Sequence, residues 1–174
     1  MKTKIRFFCN FAYQVAQRIM KSAIDHNPIA LQEHKPLTLG KSSKLRHRTL
    51  VEGVFADGKG VYEFPLRVVW RALTTEELDS AFRDHRPDRI GKVQMLITVP
   101  KKKRRHAVDR VLVRRRIRES FRLCRRELEE ALEKGHPDIR TLSMAIIYQS
   151  NENLPYGTIE KAMARSLTKI MRRL

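Results

Sequence analysis

The sequence predicts an α+β domain, a two-layer α/β sandwich whose elements run helix, strands, arginine-rich helix, strand, helix. Three observations predict it. Segments rich in β-branched and aromatic residues ("EFPLRVVWRAL", "KVQMLITVP", "LSMAIIYQ") are interleaved with segments whose apolar residues recur every three or four positions. Gly58, Gly135 and Pro137 punctuate the boundaries between them. The chain of 174 residues, 41% hydrophobic and 32% charged, is long enough for one real core and too apolar to be disordered.

Residues 1–37 read as an N-terminal extension that is expected to be mobile. They hold six basic and two acidic residues, and Pro28 and Pro36 interrupt any long element. The stretch "KIRFFCNFAYQVAQRIMKSAI" is basic and free of acids and superficially resembles an organelle presequence, but a mobile tail, or a truer start at Met20, is the simpler reading. The folded domain is expected over 38–174. "SSKLRHRTLVEGVFADGKG" opens on serines suited to capping a helix and breaks at Gly58, with Leu45, Leu50, Val51, Val54 and Phe55 available for an apolar stripe.

Residues 63–73 and 92–100 read as strands. Trp70 shares parity with Leu66 and Val68, which places it in the core. The polar segment between these strands is predicted as a loop with a helical turn begun by a Thr74–Glu77 capping pattern. The arginine-rich helix follows and ends at Gly135 and Pro137; residues 142–149 form a third strand. The chain closes on an amphipathic helix with Pro155 near its start and Ile159, Met163, Leu167, Ile170 and Leu174 at helical spacing.

Charge is the unusual feature. There are 37 Lys+Arg against 19 Asp+Glu, a formal +18. Thirteen of the basic residues lie between Lys101 and Arg126, opposed only by Asp109 and Glu119, a local net of +11. Such a field favours polyanions, either nucleic acid or an anionic membrane surface. The chain has no run of 18 apolar residues. Cys9 and Cys124 are far apart and match no zinc or redox spacing, so a reduced, cytoplasmic protein is expected.

The segment "AVDRVLVRRRIRESFR" carries more than charge. Val113, Ile117, Phe121, Cys124 and Leu128 form one stripe that can pack on a sheet. Arg110, Arg114, Arg118, Arg122 and Arg125 form a second row, centred roughly 80° around the helix at about 100° per residue. Like charges at i, i+4 destabilise an isolated helix, and a solvated face ordinarily mixes signs, whereas this one turns acidic only at Glu127, Glu129, Glu130 and Glu133. A polyanion contact that ends near residue 127 is therefore predicted, and arginine rather than lysine suits phosphate forks and base stacking.

These residues resemble the protein component of bacterial ribonuclease P. The family signature is a strand, a Lys-Lys pair and a short loop, then Ala-Val-x-Arg-Asn-Arg-(Ile/Val)-(Lys/Arg)-Arg-x-Ile-Arg. Here "ITVPKKK" supplies the strand and the pair Lys102–Lys103, and "AVDRVLVRRRIR" follows the signature at Ala107, Val108, Arg110, Val113, Arg114, Arg115, Ile117 and Arg118. "SKLRHRTLVEGVFADGKG" looks like the family's basic first helix, and the last strand and helix fall where the family has them.

Three departures from the pattern involve four positions. Val111 and Leu112 replace the signature's Asn and second Arg; Arg105 replaces a loop glycine; Val51 stands where an aromatic residue often lines the family's single-strand cleft. Arg104, Arg105 and Arg116, which the signature does not require, are candidates to offset the lost contacts.

The resemblance implies a sandwich with a left-handed crossover through the arginine-rich helix. It further implies a subunit that binds a catalytic RNA and the 5′ leader of precursor tRNA, while the RNA and Mg²⁺ bound mainly by it perform the cleavage. The expected RNA-binding residues are Lys101, Lys102, Lys103, Arg104, Arg110, Arg114, Arg115, Arg118 and Arg122. A single strand is held by basic groups and base-stacking faces, so Lys44, Arg46, Phe55 and Arg67 are the candidate leader-binding set. On the residues alone Phe55 suits the core equally well; the resemblance moves it to the cleft.

No catalytic or metal site is expected in the protein itself. The six histidines are scattered, and no phosphate loop, zinc pattern or paired carboxylates can be recognised. No membrane and no obligate protein partner is expected. The alternative function is a ribosomal or other structural RNA-binding protein with no part in cleavage. A DNA reader would need base-reading Asn or Gln on its helix, which is absent here.

Overall fold

The structure is a computed structural model and describes residues 38–82, 87 and 90–174. The expected extension, 1–37, lies outside the described residues, as does most of the polar loop between Phe82 and Ile90. The elements are α1 (Arg48–Asp57), β1 (Lys59–Glu63), β2 (Leu66–Thr74), α2 (Thr75–Ala81), β3 (Val93–Thr98), α3 (Ala107–Gly135), β4 (Ile139–Tyr148) and α4 (Tyr156–Met171). The sheet order is β1-β2-β4-β3; β1/β2 and β2/β4 are antiparallel, and β3/β4 are parallel. Parallel neighbours need a long crossover, and α3 supplies it.

Alternation along the central strands sends side chains to two cores. Leu66, Val68 and Trp70 of β2, with Leu142, Met144 and Ile146 of β4, face α3 and α4. Val69, Leu73 and Ala145 face the opposite way and carry Leu50 and Val54 of α1 and Leu78 of α2. Trp70 is core, as its parity predicts. On α3 the stripe Val113, Ile117, Phe121, Leu128 and Leu132 is fully buried. At about 1.5–3 kcal/mol for each side chain, that burial far outweighs the few tenths of a kcal/mol that neighbouring arginines cost a helix.

Local signals explain most boundaries. Thr74 and Glu77 form the expected capping box, with the Glu77 amide donating to Thr74 Oγ1 and the Thr74 amide to Glu77 Oε2. Gly58 ends α1 because only glycine fits: a Cβ there would lie 2.1 Å from the Val54 carbonyl oxygen and 2.7 Å from Val69 Cγ1.

Two features differ from expectation. The first α-helix starts at Arg48, with His47 at its N-cap, whereas the serines close a separate single 3-10 turn, Lys41–Ser43. Those serines are used elsewhere: the Ser42 carbonyl accepts from Gln94 Nε2 and the Gly91 amide, and Ser43 Oγ accepts from Arg125. Lys44 and Leu45 therefore run extended beside β3, with the Leu45 amide donating to the Met95 carbonyl at 2.9 Å. The second difference is β1, an edge strand whose single fully inward side chain, Val61, sits between Gly60 and the exposed Tyr62 and leaves too little pattern to read.

Candidate nucleic-acid interface

The basic loop leading into α3 is braced by its own arginines. Arg104 pairs with Asp109 at 2.6 Å and donates to the Asn151 carbonyl, while Asn153 Nδ2 donates to the other Asp109 oxygen at 2.7 Å. The Asn153 amide does most to hold the Asp109 carboxyl below its usual range; burial opposes it, and the Arg104 charge and hydrogen bond add to the lowering. Arg110 reaches back to the carbonyls of Arg104 and Arg105. These contacts tie the loop to the start of α3 and to the segment after β4. Lys101 and Lys102 remain exposed beside it, and Lys103 half-exposed.

The arginine row on α3 divides. Arg125 is buried and donates to Ser43 Oγ at 2.7 Å. Arg122 makes a two-pronged contact with Glu119, at 2.9 and 2.6 Å. Arg116 donates to the Leu154 carbonyl. Among the described residues, Arg105, Arg114, Arg115 and Arg118 have no side-chain partner. Of the residues expected to contact RNA, Lys101, Lys102, Lys103, Arg114, Arg115 and Arg118 thus keep their donors available, while Arg104, Arg110 and Arg122 spend theirs inside the chain. Of the three arginines expected to offset Val111 and Leu112, only Arg105 is unengaged.

The other face of the sheet holds the candidate leader residues, and the fold separates them. Arg67 is exposed and shares the α1-facing side of β2 with Val69. It pairs across the strands with Tyr62 on one side and Ile147 on the other, and Thr98 of β3 completes that row. Phe55 stands 51% exposed in the last turn of α1, the end that abuts Val69; it is not a core residue. Val51, one turn earlier, is half-buried against the smaller core. Lys44 lies instead at the far edge, bridged to Met95, with Arg46 two residues further along the chain. Two strand spacings and three residues of β3 separate Met95 from Arg67, which is roughly 10 Å in each direction.

Two groups of residues escape sequence reasoning. Tyr62, 58% exposed, extends the Phe55–Arg67 surface and is hidden because its strand is hard to read. Lys161 and Arg165 on α4 and Arg172 at its C-cap are exposed basic residues, and their i, i+4 and i+11 spacing was the available signal.

Other chemistry is sparse. Among the described residues no three His, Cys, Asp or Glu side chains converge as a metal site. Burial and the neighbouring Glu127 and Glu160 raise the Cys124 thiol, which opposes reactivity. No described helix is long and apolar enough to cross a membrane.

Comparison with known proteins shows the family and its fold. The family model for Ribonuclease P matches residues 39–171. The Ribonuclease P protein component of Porphyromonas gingivalis strain W83 is 34% identical over 132 residues, covering 76% of this chain and 85% of that protein. Its counterpart in strain ATCC 33277 is 34% identical over 137 residues, covering 78% and 89%. The 2.0 Å structure of the Staphylococcus aureus RNase P protein has the same fold at TM-score 0.50 and 18% identity, covering 75% of this chain and 96% of that one. The chain belongs to the ribonuclease P protein family and is a protein subunit of that tRNA-processing endoribonuclease, in which RNA performs the catalysis.

Proposed function

We propose that the N-terminal half of α3, with the lysines before it, seats on the catalytic RNA, and that the surface carrying Phe55, Tyr62 and Arg67 receives the 5′ leader of precursor tRNA. The observation that carries the first part is Arg114, Arg115 and Arg118 standing without acidic partners among the described residues, on the helix that follows Lys101–Lys103. Guanidinium groups left unpaired on a folded helix suit phosphate forks. The second part is supported by two exposed aromatic side chains near an exposed arginine, the combination that grips a single strand by stacking and charge. Lys44 and Arg46 contribute at a distance, along the β3 edge. Mg²⁺ is held mainly by the RNA, and the cytoplasm is the place of work.

In this division of labour the protein's cations replace some of the ions that screen RNA–RNA repulsion. Reconstitution with the RNA subunit and a precursor tRNA tests it. Protein alone leaves the precursor intact at any Mg²⁺ concentration, and added to the RNA it lowers the Mg²⁺ needed for cleavage. Specific cleavage by the RNA-free protein would overturn the reading.

A further inference from the structure

The outward face of α3 carries an apolar patch in the middle of its cationic half. Val108 is 79% exposed, Val111 43% and Leu112 38%. Spaced i, i+3 and i+4, they lie over a single turn. At about 100° per residue Arg115 points between Val111 and Val108, and Arg118 lies just beyond Val111. The packing of the helix is satisfied on its other side by Val113, Ile117 and Phe121, so the core does not account for three aliphatic side chains here.

The flanking charge identifies the partner. Lys101, Lys102 and Lys103 precede the patch, and Arg105, Arg114, Arg115 and Arg118 border it without acidic partners among the described residues. The two nearby acids are already engaged, Asp109 by Arg104 and Asn153, and Glu119 by Arg122. A protein surface without dense acidity would meet uncompensated cations around an apolar centre. RNA brings phosphates to the rim and, where a nucleotide is unstacked or a shallow groove faces the helix, an apolar base face or ribose edge to the centre.

We propose that Val108, Val111 and Leu112 make a nonpolar contact with a base or ribose surface of the RNA subunit, so that part of the protein's grip on its RNA is not screened by salt. The inference rests on α3 being the RNA-binding surface and adds the chemistry at its centre. Two energetic signatures then separate. Phosphate contacts release counterions and give affinity a salt slope; apolar burial adds affinity that is nearly constant across the same salt range.

The test titrates the RNA subunit of the same ribonuclease P with the full chain across a KCl series. Val111→Gln/Leu112→Gln replaces exposed side chains by good helix formers, and a circular-dichroism melt checks that the fold is kept. The expected result is about a tenfold loss of affinity at every salt concentration with the slope unchanged. Leu112→Arg should instead steepen the slope by about one unit and restore affinity only at low salt. If the double glutamine variant binds like the wild type while Arg114→Ala/Arg118→Ala flattens the slope, the apolar contact is refuted and the RNA surface stands. If the arginine changes also leave the slope untouched, the RNA surface itself is refuted. Self-association of the protein alone, abolished by the glutamines, would assign the patch to a second copy of the chain and overturn the proposal.

Discussion

From Ala107 to Arg118, α3 presents Arg114, Arg115 and Arg118 with no acidic partner among the described residues; from Glu119 to Gly135, every arginine has one. Arg122 is held by Glu119, Arg126 by Glu130 at 2.8 Å, and Arg125 lies 3.7 Å from Glu129 while donating to Ser43. The buried seam runs through both halves, so packing does not distinguish them. What differs is where the compensating negative charge comes from. In the second half it comes from a neighbouring turn of the same helix; in the first no acidic side chain among the described residues supplies it. Net charge alone does not separate the two halves; on the proposed reading, charge left without an internal partner does.

Reversing charge in the first half is the strongest way to break this contrast. Arg114→Glu/Arg118→Glu should weaken RNA binding by roughly 100-fold, from two lost charge-assisted contacts, whereas Arg122→Glu/Arg126→Glu should change it by no more than about threefold. Filter-binding titrations at one salt concentration read both. Comparable losses would erase the distinction between the halves.

On the opposite face, Phe55→Ala should reduce affinity for precursor tRNA by about 1–3 kcal/mol if a leader base stacks there, with mature tRNA affinity constant. Fluorescence titrations of the reconstituted complex with both tRNAs check it; equal losses would remove the leader from that surface.

The boundary itself can be moved. Glu119→Gln frees the Arg122 guanidinium and should steepen the salt slope by up to about one unit. An unchanged slope would mean that the RNA ends a turn earlier than residue 122.

A smaller effect comes from the brace before the helix. The Asp109 carboxyl lies below its unfolded value, chiefly through the Asn153 amide and then Arg104. Its contribution to stability is therefore full above the ordinary carboxylate range, near pH 4, and is lost as pH falls through the lowered value. Asp109→Asn should melt at a lower temperature than the wild type at neutral pH, and the gap should close in acid; a gap independent of pH would mean the carboxylate charge is not what matters. The smallest effect expected is none: a chain starting at Thr38 should support the same turnover in reconstitution, since the family match begins at residue 39.

Much of this arrangement is legible in the sequence because it depends on periodicity and local density. The α3 stripe repeats for five turns and needs no tertiary information to be seen, and Trp70 follows from strand parity. The Thr74 capping box and the breaks at Gly58 and Gly135 are signals carried by single residues. Partner choice is not legible in the same way. Arg104 and Asp109 are close in sequence, yet the brace depends on Asn151 and Asn153, which only the return through β4 brings near. Arg125 looks like a rung of the arginine row until Ser43, 82 positions away, is placed beside it. Lys44 and Arg46 read as part of a helix because serines precede them, but the open edge of β3 offers the Leu45 amide a carbonyl acceptor and keeps that segment extended.

The central claim is that binding to the RNA is concentrated in the unpaired half of α3, and the salt dependence of binding tests it most directly. Affinity for the RNA subunit should be measured over a range of KCl for the wild type, Arg114→Ala/Arg118→Ala and Arg122→Ala/Arg126→Ala, with folding verified for each. The account predicts that the first pair lowers the log–log slope by about two units, near one per lost phosphate contact, and that the second pair leaves it within experimental scatter of the wild type. Equal reductions for both pairs, or a slope that Arg114→Ala/Arg118→Ala does not move, would contradict it.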